Sequence, residues 1–298
     1  MNKRIYAGLL AMMFIISSLG FVIATDPILN VTSPVEGAYL DLRIINLSAT
    51  ADQLVDFFLF RNVLRSRRAV NLNDSVMSTT NTFRAREGSN TIRVKVLNMN
   101  GESDSKDISF IVDTRAPRIS RTEPRNNEWV NAQSLFTVNY REDNLDSVRL
   151  VYNGTIEPKT DCTSGRKKTC SIMPNLTSFD GKDLLYHFQL FDKAGNNATS
   201  QVRIVHVDTT LPVISNVSTS VDRRRVTFTV EVEEENFDKI LMRDNNARRP
   251  RWTRLCSRLN VGVCTKTKTF RTGTHNIDLM LLDEAGNSDE ESVPEFII

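Results

Sequence analysis

Histidine is almost missing from this sequence. Three occur in 298 residues, His187, His206 and His275, and none precedes position 187. The side chain that most often shuttles protons and binds transition metals is therefore scarce. Cysteine is confined to four positions and tryptophan to two. No Gly-x-Ser-x-Gly, His-Glu-x-x-His or phosphate-cradling glycine loop occurs, so the usual catalytic signatures are lacking and the chain reads as a non-enzyme. Charge excess is lacking as well. Lys plus Arg number 38 against 36 Asp plus Glu, and two of the positives, Lys3 and Arg4, precede any acid. A chain cut after Ala24 balances 36 against 36, which argues against a nucleic-acid partner.

What is present begins with a leader. After Met-Asn-Lys-Arg, an apolar run from Ile5 to Ala24 is broken only by Gly8, Ser17, Ser18 and Gly20. A positive start, an apolar stretch and Val22-Ile23-Ala24 before Thr25 read as a secretory signal over 1–24. The same run, at about 1.5 Å per residue, is long enough to span a bilayer if left uncut. Either reading puts the remainder outside the cytoplasm, secreted or at the cell surface, touching membrane only through an uncleaved N-terminus. The four cysteines agree, falling into two pairs of equal spacing, Cys162/Cys170 and Cys256/Cys264. An even, paired count in an exported chain reads as disulfides. Seven glycosylation sequons occur, at Asn30, Asn46, Asn73, Asn153, Asn175, Asn197 and Asn216.

Internal repetition sets the organisation. Val112-Asp113-Thr114-Arg115-Ala116-Pro117-Arg118-Ile119-Ser120 returns as Val207-Asp208-Thr209-Thr210-Leu211-Pro212-Val213-Ile214-Ser215. Phe191-Asp192-Lys193-Ala194-Gly195-Asn196 returns as Leu282-Asp283-Glu284-Ala285-Gly286-Asn287, and Glu142-Asp143-Asn144-Leu145-Asp146 as Glu234-Glu235-Asn236-Phe237-Asp238. These repeats divide the chain into modules over 26–114, 115–209 and 210–298. Within each the apolar period is two: Val226, Phe228, Val230 and Val232 alternate with polar residues, as do Phe136, Val138 and Tyr140, and Ile92, Val94 and Val96. Strict alternation buries one face of a strand, the pattern of antiparallel sheets packed in pairs. The expected fold is all-β, three tandem β-sandwich modules behind an N-terminal signal or anchor helix, and the resemblance that follows makes them immunoglobulin-like.

The Val-Asp-Thr-x-x-Pro-x-Ile-Ser and Asp-x-Ala-Gly-Asn segments resemble the tandem immunoglobulin-like repeats (Big-type) of bacterial and archaeal surface proteins. The likeness covers 26–298 and is weakest in the first module, which lacks both cysteines and the full turn motif. It implies a noncatalytic cell-surface stalk or adhesion protein, whose partners would be a cell-envelope component, a surface protein or a glycan. Such a sandwich would carry Glu142, Asp143, Asp146 and Asp192 toward Asp113, and Glu234, Glu235, Asp238 and Asp283 toward Asp208. Clustered carboxylates of this kind suit calcium, the one cofactor the sequence suggests; the alternative is that they are turn formers and solvated charges.

Charge in the last module is lopsided. Residues 243–271 carry nine Lys or Arg against Asp244 alone, and 272–298 carry seven acids and no Lys or Arg. A basic face around Arg248, Arg249, Arg251, Trp252 and Arg254 suits an anionic envelope or extracellular glycan, or an acidic neighbouring subunit in a surface lattice or filament. The alternative is that adjacent strands of opposite sign neutralise one another.

Overall fold

The computed structural model describes residues 26–63 and 70–298, with the side chains of 73–75 excepted. The leader expected over 1–24 lies outside the described residues, as does the side chain of Asn73. Among the described residues the only helical element is a single 3-10 turn, Thr177–Phe179, and no helix is long and apolar enough to cross a membrane. The described residues form two compact units, one of 26–38 with 42–112 and one of 39–41 with 113–298.

The first unit contains β1 (Leu29–Ser33), β3 (Ile44–Asn62), β4 (Val70–Arg84), β5 (Gly88–Leu97) and β6 (Ser103–Val112); a two-residue strand, β2 (Tyr39–Leu40), falls in the second. β1, β3, β5 and β6 are hydrogen-bonded in that order, with β4 beside β3. Two separate sheets were expected here, and the structure instead has one ladder joined through the 19-residue β3. The first half of β3 pairs with β1 and its last six residues pair with β5. The cause is local. Where the later modules have Glu-Asp-Asn or Glu-Glu-Asn, β3 runs through Ala51-Asp52-Gln53-Leu54, which supplies no Asn or Gly turn to break the strand. The sheet returns on itself: the Leu29 N–H donates to the Asp104 carboxylate on β6 at 2.9 Å. Ile92, Val94, Val96, Phe58 and Phe110 fill the interior.

The second unit holds two sandwiches. The earlier comprises β7 (Arg118–Glu123), β8 (Glu128–Val130), β9 (Phe136–Glu142), β10 (Leu145–Tyr152), β11 (Thr155–Lys159), β12 (Gly165–Ile172), β13 (Asp183–Asp192), β14 (Asn197–Thr199) and β15 (Arg203–Val207). Its sheets run β12-β9-β7 and β11-β10-β13-β15-β8, with β14 on β13. Phe136, Tyr140, Tyr186 and Phe188 form the core, Phe136 meeting Tyr186 edge to face at 4.7 Å. The Tyr186 hydroxyl donates to the Pro124 carbonyl, so the buried phenol is satisfied.

The later sandwich comprises β16 (Val213–Asp222), β17 (Arg225–Glu233), β18 (Phe237–Asp244), β19 (Thr253–Cys256), β20 (Val263–Thr269), β21 (Thr274–Asp283) and β22 (Ser288–Ile297), in sheets β16-β17-β20 and β19-β18-β21-β22. Val226, Phe228, Val230, Ile240, Ile277, Leu279 and Leu281 are fully buried. β7 and β16 each begin one residue after the buried Pro117 or Pro212, where the missing N–H costs no ladder bond.

Candidate functional site

The alternation that builds the core also aims four acids inward. On β9, Phe136, Val138, Tyr140 and then Glu142 share the buried face; on β13, Tyr186, Phe188, Leu190 and then Asp192 do. β21 repeats the pattern with Ile277, Leu279, Leu281 and Asp283, and Glu234 continues the register of Val226 to Val232 just past β17. Each acid is the end of an apolar row, at the rim of its sandwich, and Asp113 or Asp208 completes the group. The carboxylates of Asp113, Glu142 and Asp192 lie within 4.8 Å of one another, and those of Asp208, Glu234 and Asp283 do likewise. Five of the six residues are buried, and Glu234 is half-buried.

Two asparagines hold the carboxylates of each group in place. The Asn196 N–H donates to Asp192 Oδ1 at 2.8 Å, while its side-chain amide donates to Asp192 Oδ2 and to the Asp113 carbonyl, both at 2.8 Å. Asn144 gives its N–H to Glu142 Oε1 and its side-chain amide to Asp113 Oδ2, both at 2.7 Å. The second copy matches bond for bond. Asn287 donates to Asp283 and to the Asp208 carbonyl at 2.7–2.9 Å, and Asn236 to Glu234 and Asp208 Oδ2 at 2.6–2.9 Å. Gly195 (φ +95°) and Gly286 (φ +86°) supply the left-handed residue that lets the Asp-x-Ala-Gly-Asn turn close back on its own aspartate.

These donors are neutral, so they bring no positive charge to either trio of carboxylates. No Lys or Arg among the described residues forms an ion pair with any of the six carboxylates. Two unit charges 4.8 Å apart repel by about 3.5 kcal/mol at an effective dielectric of ~20. Burial pushes the Glu142 carboxyl above the ordinary glutamate range, and Asp113, Asp192 and Asp143 push it further; the Asn144 N–H opposes them. Glu234 is raised in the same way, by burial first and then by Asp208 and Asp283. A proton or a hard cation would relieve each group, and an all-oxygen set of three carboxylates suits calcium or magnesium rather than a softer metal.

Four of the acids expected in these groups stand outside them. Asp143, Asp146 and Glu235 point to solvent, because each sits one residue off the buried register, and Asp238 pairs with Lys239 at 2.6 Å. Sequence reasoning missed the clamp on the connection between the two sandwiches. Asp180 accepts from the Thr209 N–H at 2.6 Å and from the Thr209 and Thr210 hydroxyls, both at 2.9 Å. Those bonds, the Thr209 N–H foremost, hold the Asp180 carboxyl below its usual range.

Cys162 bonds to Cys170 and Cys256 to Cys264, with Cα atoms 5.6 and 6.2 Å apart. The second bridge ties β19 to β20, the edge of one sheet to the edge of the other. Asn30, Asn46, Asn153, Asn175, Asn197 and Asn216 are exposed. In the basic region Arg248, Arg249, Arg251 and Arg254 are exposed, whereas Trp252 is half-buried beneath the Arg243 guanidinium, 4.4 Å from its ring centre. His275 is the buried histidine. Its Nδ1 lies 2.6 Å from the Asp244 carboxylate and its Nε2 2.9 Å from the Arg271 carbonyl, so both ring nitrogens face acceptors.

The fold and its paired turns define a chain of tandem immunoglobulin-like β-sandwiches. No family model matches the sequence, and no curated protein matches it. Among solved structures, the fibronectin(III)-like modules of Clostridium thermocellum CbhA are similar at 14% identity and TM-score 0.40, over 61% of this chain and 95% of that one. The chicken CNTN1 FN1–FN3 domains are similar at 9% identity and TM-score 0.43, over 89% and 97%. A tetra-tandem repeat in the extending region of a large adhesion protein is similar at 15% identity and TM-score 0.31, over 87% and 73%.

Proposed function

We propose that this protein is a noncatalytic structural stalk or adhesion protein of the cell exterior, and that calcium locks the turn at which one sandwich follows another. The observation that carries the reading is the duplicated group of three carboxylates, closed in the later copy on the connecting residue Asp208 by Asn236 and Asn287. A cation held by Asp208, Glu234 and Asp283 would fix the incoming chain to the two turns of the sandwich that follows, with waters completing the six to eight oxygens calcium takes. Two disulfides and exposed sequon asparagines support an oxidising, extracellular setting. Such a protein acts by presenting surfaces at a set spacing, and its partner would be an envelope component, another surface protein or a glycan.

Calorimetric titration of the chelator-treated full chain with calcium tests the reading. Two binding events are expected, one removed by Asp208→Asn with Asp283→Asn and the other by Asp113→Asn with Asp192→Asn. Absence of calcium binding in the wild type removes the cation from the proposal.

A further inference from the structure

Oppositely charged residues of the last sandwich lie at opposite edges of one sheet. In the order β19-β18-β21-β22, β19 and β22 are the outer strands, three strand spacings or roughly 14 Å apart. Beside β19 lie Arg248, Arg249 and Arg251 in the preceding loop and Arg254 on the strand, all exposed. β20 adds Lys266 and Lys268 next to them, the Lys268 ammonium donating to the Arg254 carbonyl at 3.1 Å. Along β22, Glu290, Glu291 and Glu295 are exposed. Neutralisation between neighbouring strands, the alternative offered by the sequence, is confined among the described residues of this sandwich to the two inner strands, where Arg243 pairs with Asp278 at 2.8 Å and His275 with Asp244 at 2.6 Å. Among the described residues, Arg248, Arg249, Arg251, Glu290, Glu291 and Glu295 form no ion pair.

From these edges we infer a second binding property: copies of this chain associate side by side, the basic β19 edge of one last sandwich against the acidic β22 edge of the next. Within one molecule the two edges cannot meet, since β18 and β21 stand between them and the gap exceeds the screening length of about 8 Å at physiological salt. Between molecules they are complementary. The contact joins unlike surfaces and leaves both outer edges free, so it propagates as a row rather than closing as a two-fold dimer. Charge on edge strands also deters fusion of sheets, but a mixture of signs would serve that end. Segregation of the signs is what matches a partner of the opposite pattern, and the chain itself is such a partner. Pro294 on β22 and the charged side chains on both edges direct the contact through side chains instead of a shared backbone ladder.

Sedimentation velocity on the full chain tests the inference, with chelator present so that bridging calcium plays no part. Association that grows with concentration at low salt and disappears at high salt is expected. Reversing one edge (Arg248→Glu, Arg249→Glu, Arg251→Glu) or the other (Glu290→Lys, Glu291→Lys, Glu295→Lys) should leave monomers, with wild-type circular dichroism and melting confirming the fold. Mixing the two reversed proteins one to one should restore large species, because two acidic edges then meet two basic ones. Monomers at every salt concentration, or association that survives either reversal, would overturn the proposal. So would a monomeric wild type that binds an anionic polysaccharide through the same arginines, which would make the basic edge a polymer-binding surface.

Discussion

Calcium should raise the melting temperature of this protein, and by an amount the two carboxylate groups allow to be worked out. A ligand present at a hundred times its dissociation constant stabilises by about 2.7 kcal/mol per site, hence about 5 kcal/mol for two sites. The second unit, 39–41 with 113–298, is of a size at which 1 kcal/mol shifts melting by about 2–4 °C, so an increase of about 10–20 °C is expected. Differential scanning calorimetry in chelator and in excess calcium reads it directly. The pH dependence supplies a second, sign-sensitive arm. Glu142 and Glu234 have folded-state pKa values above the ordinary glutamate value. Their contribution without calcium is therefore complete below about pH 4.3 and declines as pH rises through the folded values. Calcium binds the deprotonated groups, so its own increment should grow over the same interval. Glu234→Gln removes a repelling charge and should stabilise the protein in chelator while abolishing the increment from that group. Superimposed melts with and without calcium at pH 7, or a Glu234→Gln protein that melts lower in chelator, would refute the reasoning.

Three further expectations follow from other contacts. Asn287→Ala strips the buried Asp208 carbonyl and Asp283 carboxylate of a shared donor and should cost about 1–3 kcal/mol in urea unfolding. Reducing Cys256–Cys264 opens a nine-residue loop and should cost about 2.6 kcal/mol by the chain-entropy relation, measured as a lower denaturation midpoint. His275 has a raised pKa, burial opposing the shift while the Arg271 carbonyl and the Asp244 carboxylate drive it. Its contribution to stability should be whole below about pH 6.5 and decline as pH rises through the folded value, which nitrogen-15 NMR titration of the ring will locate.

Most of the strand architecture could be read from two-residue periodicity, and part of the site could too. Glu142, Asp192 and Asp283 occupy positions that an apolar row would have filled next, so counting parity along each strand separates them from Asp143, Asp146 and Glu235. The asparagines were visible only as turn formers. Nothing in Asn196 or Asn287 distinguishes an amide that closes its own turn from one that also reaches a carbonyl some eighty residues away, because that reach is a property of the tertiary fold. Asp180 was hidden for the same reason, its partners being Thr209 and Thr210. The first unit shows the converse. Its single continuous ladder follows from turn residues missing after Thr50, a cue present in the sequence.

Asp208 closes one sandwich in sequence and serves the following one in space, since its backbone accepts from Asn287 and its carboxylate from Asn236. The physical repeat is therefore offset from the boundary an alignment suggests. A fragment begun at Thr210 would sever an acceptor that two asparagines require, while one begun at Val207 would keep it. Gene duplication or shuffling of such a cassette would likewise have to carry its leading aspartate along, and this coupling accounts for why the Val-Asp-Thr junction and the distant Gly-Asn turn recur together.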